Sequence, residues 1–111
     1  MPITQPRRRL KGFVVAWEFH INPKKRPAFE RIYGPEGEWV QLFRTSKGYL
    51  RTELFRDRQV PGRYLTLDYW QSLAHYEKFK MQNRAAYHLI DKKCETLTVR
   101  ETEIGRFTRL P

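Results

Sequence analysis

The chain is poor in the residues that build most recognisable sites. It has one cysteine, three histidines and six glycines in 111 residues. A single cysteine, Cys94, excludes an internal disulfide and a cysteine metal cluster. His20, His75 and His88 have no Asp or Glu at ligand spacing, so no metal site is expected. The glycines form no phosphate-cradling loop. No apolar run approaches the ~20 residues that cross a bilayer. The N-terminus lacks an apolar signal core ending in a small-residue cleavage site. The expectation is a soluble, cytoplasmic protein without a membrane partner.

Acidic residues are also scarce. Twelve Asp and Glu stand against 22 Lys and Arg, a formal net charge of +10. Arg7, Arg8, Arg9 and Lys11 crowd the N-terminus, and Lys24-Lys25-Arg26 adds a second cluster. Such a balance attracts anions. However, no RNP-type motif, helix-turn-helix signature or zinc-finger spacing accompanies it. The charge therefore reads as a solvated basic surface and not as a nucleic-acid site.

What the chain does have is aromatic residues: seven Phe, six Tyr and three Trp. With 40% hydrophobic residues, they suffice for one folded domain. Residues 1–11 read as a flexible basic tail and 12–111 as a single domain. A domain this small leaves much of its surface in water and gains from a partner subunit.

Periodicity divides the domain. Phe13, Val15, Trp17, Phe19 and Ile21 alternate as a strand with one apolar face. Asn22-Pro23 ends it. Ala28, Phe29, Ile32 and Tyr33 recur at helical spacing until Gly34-Pro35, and Glu36 to Phe43 reads as a second short helix. Tyr49–Arg56 and a segment from Arg63 to Trp70 are strands separated by a loop ending in Pro61-Gly62. Ser72 is an N-cap type, and Leu73, Tyr76 and Phe79 begin a helical pattern that reaches Leu97. Gln82-Asn83-Arg84 breaks that pattern in two. Ala86, Ile90, Cys94 and Leu97 mark the buried stripe of the second half, which makes Cys94 a small buried thiol. Thr98 to Thr108 is the last strand.

The order β-α-α-β-β-α-α-β predicts an α+β, ferredoxin-like split βαβ fold. Its four-stranded antiparallel sheet carries helices on one face. Regular alternation would put Val14, Ala16, Tyr49, Phe55 and Tyr64 on the other face, with Glu18, His20, Arg51, Glu53 and Asp68. Leaving the apolar members in water forfeits roughly 25 cal/mol per Å². Stacking two sheets about a two-fold axis covers them, so a homodimer is expected.

The strand-to-helix segment Asp68-Tyr69-Trp70-Gln71-Ser72, followed by Tyr76 and Phe79, resembles the antibiotic biosynthesis monooxygenase family of dimeric α+β barrels. The opening strand Phe13–Ile21, the stretch Pro23-Lys24-Lys25-Arg26-Pro27-Ala28-Phe29-Glu30 and Gly48-Tyr49-Leu50 extend the likeness. It covers about residues 12 to 108. The resemblance implies a pocket for a flat or aromatic ligand between sheet and helices. In some members it implies oxidation of phenols by molecular oxygen without a cofactor. The fold alone does not choose the reaction.

The resemblance also supplies candidates. In the cofactor-free oxygenases a Trp ending the third strand and a Tyr in the next helix line the pocket, and Trp70 and Tyr76 match them. The strand Asn expected four positions before Trp70 is Thr66 here. In the heme-degrading branch a helix His ligates iron; Lys80 stands near that place, with His75 too early and His88 too late. That argues against heme chemistry. Oxygenation of this kind asks the protein to bind the substrate, favour its anion and exclude water. Trp70, Tyr76 and His75 are the catalytic candidates, with Tyr76 bonding a phenolate and His75 or His20 taking its proton. Trp17, His20, Arg51 and Thr66 are the substrate-binding candidates. A non-catalytic dimeric module that binds a small molecule is the alternative.

Overall fold

The computed structural model describes residues 12–110. The predicted basic tail lies outside them. Strand β1 spans Phe13–Ile21, followed by a 3-10 turn at Pro23–Lys25. Helices α1 (Arg26–Tyr33) and α2 (Glu38–Phe43) come next, then strands β2 (Tyr49–Arg56) and β3 (Arg63–Trp70). Helices α3 (Leu73–Gln82) and α4 (Arg84–Lys93) precede strand β4 (Thr98–Thr108). The four strands form one antiparallel sheet in the order β2-β3-β1-β4.

Local chemistry explains the joints. Asn22 Oδ1 accepts from the Lys24 N–H at 3.0 Å, and Pro23 opens the 3-10 turn where its missing N–H costs nothing. Ser72 caps α3 by accepting from the His75 N–H at 3.2 Å. Asn83 separates α3 from α4; its side chain donates back to the Phe79 carbonyl. Cys94 falls one residue beyond α4, where it is buried and closes the helix through its N–H.

The register sets the faces. Phe13, Val15, Trp17 and Phe19 of β1 stand opposite Trp70, Asp68, Thr66 and Tyr64 of β3. In β3 every even-numbered residue from Tyr64 to Trp70 is buried, while its odd-numbered residues are half-buried. The inner face therefore carries Tyr64, Thr66, Asp68 and Trp70, and it packs with the helices into one aromatic core. Phe29 contributes stacking on Tyr33 at 4.3 Å between ring centroids, and Phe43 meets Phe79 edge-on at 5.3 Å.

Three assignments change as a result. Tyr64 and Asp68, expected on the open face, lie on the helix face, because pairing with β1 puts Asp68 beside Val15. Tyr49 also faces inward. The extra residue Leu50 shifts the β2 register, so Tyr49 opposes Trp70 while Arg51 opposes Tyr69. Arg51, Glu53 and Phe55 keep their expected place on the open face, next to Val14, Ala16, Glu18 and His20.

That open face is mixed. Phe55 and Phe107 are about half exposed. Arg63 bonds Glu18 and, at 2.7 Å, Asp57. The Arg51 guanidinium lies 3.9 Å over the Tyr69 ring, whose hydroxyl donates to Glu53 at 2.7 Å.

Candidate functional site

A cavity opens between the inner face of the sheet and the helices. The cavity proper holds about 50 Å³, within about 570 Å³ of space that takes in open solvent at its mouth. The sheet contributes Trp17 and Phe19 from β1, Thr52 from β2, Thr66 and Asp68 from β3, and Glu101 from β4. The helices contribute Tyr33 from α1, Trp39 and Phe43 from α2, Tyr76 from α3, and Tyr87 and Asp91 from α4. Aromatic walls with a few convergent polar groups are the usual make-up of a small-molecule site.

Most of the walls are locked by one another. Trp39 meets Tyr87 edge-on at 4.8 Å, and Phe13 meets Tyr76 at 5.7 Å. The indole Nε1 of Trp39 is buried without a hydrogen-bond partner, as is that of Trp70. A buried donor left unpaired is costly, so the Trp39 N–H beside the cavity is a ready donor for a ligand oxygen.

The polar floor is one short chain of hydrogen bonds. Thr52 Oγ1 donates to Asp68 Oδ1 at 2.7 Å, and the Tyr49 hydroxyl lies 2.8 Å from the same Oγ1. No other group bonds Asp68 among the described residues. Asp68 is 9% exposed, and burial pushes its carboxyl up from 3.8 to about 6, against the opposing pull of Thr52. Burial likewise raises Tyr76 to about 12, with the Arg106 charge working the other way. Tyr33 and Tyr87 are raised by burial as well. These phenols stay protonated and act as donors at neutral pH. At the mouth, Glu101 is exposed overall, and partial desolvation of its carboxyl, then the nearby Asp91, raise it.

The sequence candidates divide into three groups. Trp17, Thr66 and Tyr76 line the cavity. Trp70 is fully buried one layer behind it, with its ring 5.4 Å from Tyr76, 5.3 Å from Tyr49 and 5.7 Å from Phe43. The other three lie elsewhere. His75 Nδ1 sits 2.7 Å from Ser72 Oγ at the start of α3. His20 is on the open face, 3.5 Å from Glu18 and 3.1 Å from an Arg100 nitrogen. Arg51 covers Tyr69 on that same face.

Sequence reading missed Asp68, Thr52, Tyr87, Asp91 and Glu101. For Asp68 a signal existed: it shares strand parity with Trp70, so a Trp70 turned toward the helices brings Asp68 with it. Tyr87 sits beside the stripe read from Ala86, Ile90, Cys94 and Leu97, and only the packing of α4 selects it. Among the described residues, no group of three or more His, Cys, Asp or Glu is arranged to hold a metal ion. No described helix is long and apolar enough to cross a membrane.

A ferredoxin-like sheet with an aromatic-walled cavity under its helices defines an α+β class that hosts many reactions. The profile of the antibiotic biosynthesis monooxygenase family matches residues 12–86, and the chain belongs to that family. No curated protein matches it by sequence. Among solved structures it is similar to an asparagine-to-alanine mutant of SnoaB, a cofactor-independent oxygenase from Streptomyces nogalater. That pair shares 17% identity and a TM-score of 0.68, covering 89% of this chain and 93% of the other. A protein from Pseudomonas aeruginosa is similar at 18% identity and TM-score 0.65, covering 91% and 96%. A conserved protein from Methanosarcina mazei is similar at 13% identity and TM-score 0.68, covering 92% and 96%. At these identities the likeness is one of fold.

Proposed function

We propose that the chain is a cofactor-independent monooxygenase of an aromatic or quinol-type small molecule, acting as a homodimer. The observation that carries this reading is the aromatic cavity between sheet and helices, with Trp17, Thr66, Tyr76 and Asp68 at its surface. Family membership supports it, and the oxygenase from Streptomyces nogalater shares the fold.

The chemistry asks little of the protein. An electron-rich phenol or enol loses a proton and passes electrons to molecular oxygen. One oxygen atom enters the substrate as a carbonyl, replacing two hydrogens, and the other leaves as water. Trp17 offers a flat face for stacking, Tyr76 and the Trp39 N–H offer donors to a substrate oxygen, and the ring walls exclude water. The half-exposed Phe55 and Phe107 support the dimer, because a second sheet would cover them.

Oxygen uptake with product mass tests the reading, on a panel of hydroquinones, anthrones and polyhydroxylated aromatics. Sizing first establishes that each variant keeps the wild-type oligomeric state. The expected result is uptake above the protein-free rate, with a net mass gain matching one oxygen in and two hydrogens out. Both should fall in Trp17→Ala and Tyr76→Phe. Binding of panel members without uptake by any of them would instead identify a non-catalytic small-molecule module.

A further inference from the structure

We infer that Asp68 is the general base of this cavity: its Oδ2 takes the proton whose loss turns a neutral phenol, or its keto tautomer, into the electron-rich anion. The inference rests on the oxygenase reading and names the residue that starts it.

The geometry leaves one candidate. No His, Lys or Arg is among the residues that line the cavity. Asp91 and Glu101 line its mouth and are exposed, whereas Asp68 is buried on its floor. Thr52 holds Oδ1 at 2.7 Å, which fixes the carboxylate and leaves Oδ2 free for substrate. Trp17 stands opposite Thr66 on β3 and is thereby the diagonal neighbour of Asp68 on the same face, so both side chains line the cavity together.

The proton balance is simple. An O–H bond, or a C–H bond conjugated to a carbonyl, breaks. The proton joins Oδ2 and the electron pair stays on the substrate, delocalised onto its oxygen. Molecular oxygen is the oxidant of the later step. The same geometry sets the substrate class. Three carboxylates and no cation line the cavity, so a neutral substrate is accepted, and one bearing carboxylate, sulfonate or phosphate is rejected.

Other groups bear on the base. Tyr49 on β2, Tyr76 on α3 and Tyr87 on α4 each feel the Asp68 charge. Glu101, Glu103 and Arg106 come from β4 and Asp91 from α4; Lys80 lies 4.3 Å over the Tyr87 ring. No titratable group lies in direct hydrogen-bond contact with the carboxylate, so the pH response belongs to Asp68 itself. It must be ionised to act, so proton abstraction rises with pH through about 6 and then levels. Thr52 is a positioning residue: its hydroxyl favours the ionised form, and removing it moves that rise to higher pH.

The test separates proton abstraction from oxidation. Anthrone is incubated with the full chain in deuterated buffer under argon, and deuterium entering its methylene carbon is followed by mass spectrometry. Tryptophan fluorescence quenching reports binding in parallel. The wild type should speed exchange above buffer with the stated pH dependence. Asp68→Asn should bind anthrone but lose at least about 100-fold in exchange rate. Thr52→Val should exchange with its pH midpoint shifted upward. Exchange in Asp68→Asn equal to wild type, or a Thr52→Val profile identical to wild type, would overturn the assignment while leaving oxygen uptake intact. Absence of both quenching and exchange in the wild type would instead overturn the aromatic-substrate reading beneath it.

Discussion

Replacing Asp68 by Asn should stabilise the protein at neutral pH. The carboxyl titrates near 3.8 in an unfolded chain and near 6 in the fold. Between those values the folded state holds a proton that the unfolded state has released, so stability falls as pH rises through the window. The full cost, about 3 kcal/mol, is reached above pH 6 and is absent below pH 4. Asparagine has the same shape, keeps an oxygen to accept from Thr52 and carries no charge. Asp68→Asn should therefore exceed wild type by up to about 3 kcal/mol near pH 7.5, and the two should converge near pH 4. Urea unfolding of both proteins at a series of pH values reads the difference directly, and the other carboxylates cancel in the comparison. Equal stability at pH 7.5, or a difference that does not shrink on acidification, would refute the picture of a costly buried charge. A residue that destabilises its own fold while standing at the head of the chemistry fits a trade of stability for activity.

Trp70→Ala should cost about 3–5 kcal/mol, since it empties a fully buried site among Phe43, Tyr49, Tyr76 and Phe79; chemical denaturation measures it. Gly48→Ala should lose more than about 1 kcal/mol, because its φ is +93° and a Cβ would sit 2.4 Å from the His75 ring; a drop in Tm checks this. Asp57 is held at about 2 by the N–H groups of Val60 and Gln59 and by Arg63. Its stabilisation is present above about pH 4 and fades toward pH 2. Asp57→Asn should thus be less stable than wild type at neutral pH, with the gap closing over that range in acid unfolding.

The elements were legible because their punctuation is strong. Pro61-Gly62, Ser72 and the pair Gly34-Pro35 stop and start structure by local chemistry alone, and β2 and β4 begin and end where alternation put them. The facing of β3 was not legible. It has aromatics on both sides, Tyr64 and Trp70 inward and Tyr69 outward, and an aspartate at an inward position looks like an outward one. Only pairing with β1 decides between them, and pairing is a long-range fact. Tyr49 was misplaced for another reason: the extra Leu50 changes the side on which its neighbours fall. The site follows the same division. Trp17 and Tyr76 reach the cavity from elements whose phase is plain in the sequence, whereas Thr66 follows from the family resemblance. His20, Arg51 and His75 carry suitable chemistry, but the sheet and the helix cap direct them to other surroundings.

The corner at Gly48 has a mechanical consequence. The Gln71 N–H donates to the Gly48 carbonyl at 2.7 Å, and the His75 ring fills the space that a side chain on Gly48 would need. The entrance to β2, the exit of β3 and the first turn of α3 are thereby pinned at one point. Thr52 on β2 and Tyr76 on α3, both lining the cavity, follow that corner closely along the chain. Helix α4 is held more lightly, with Tyr87 and Ile90 only partly buried against the core and Lys93 paired to Glu38 of α2 at 2.8 Å. The cavity is thus bounded by the pinned Gly48 corner on one side and by the less deeply packed α4 on the other. The amides of α4 should exchange with solvent before those of α3, and ligand should enter beneath Tyr87.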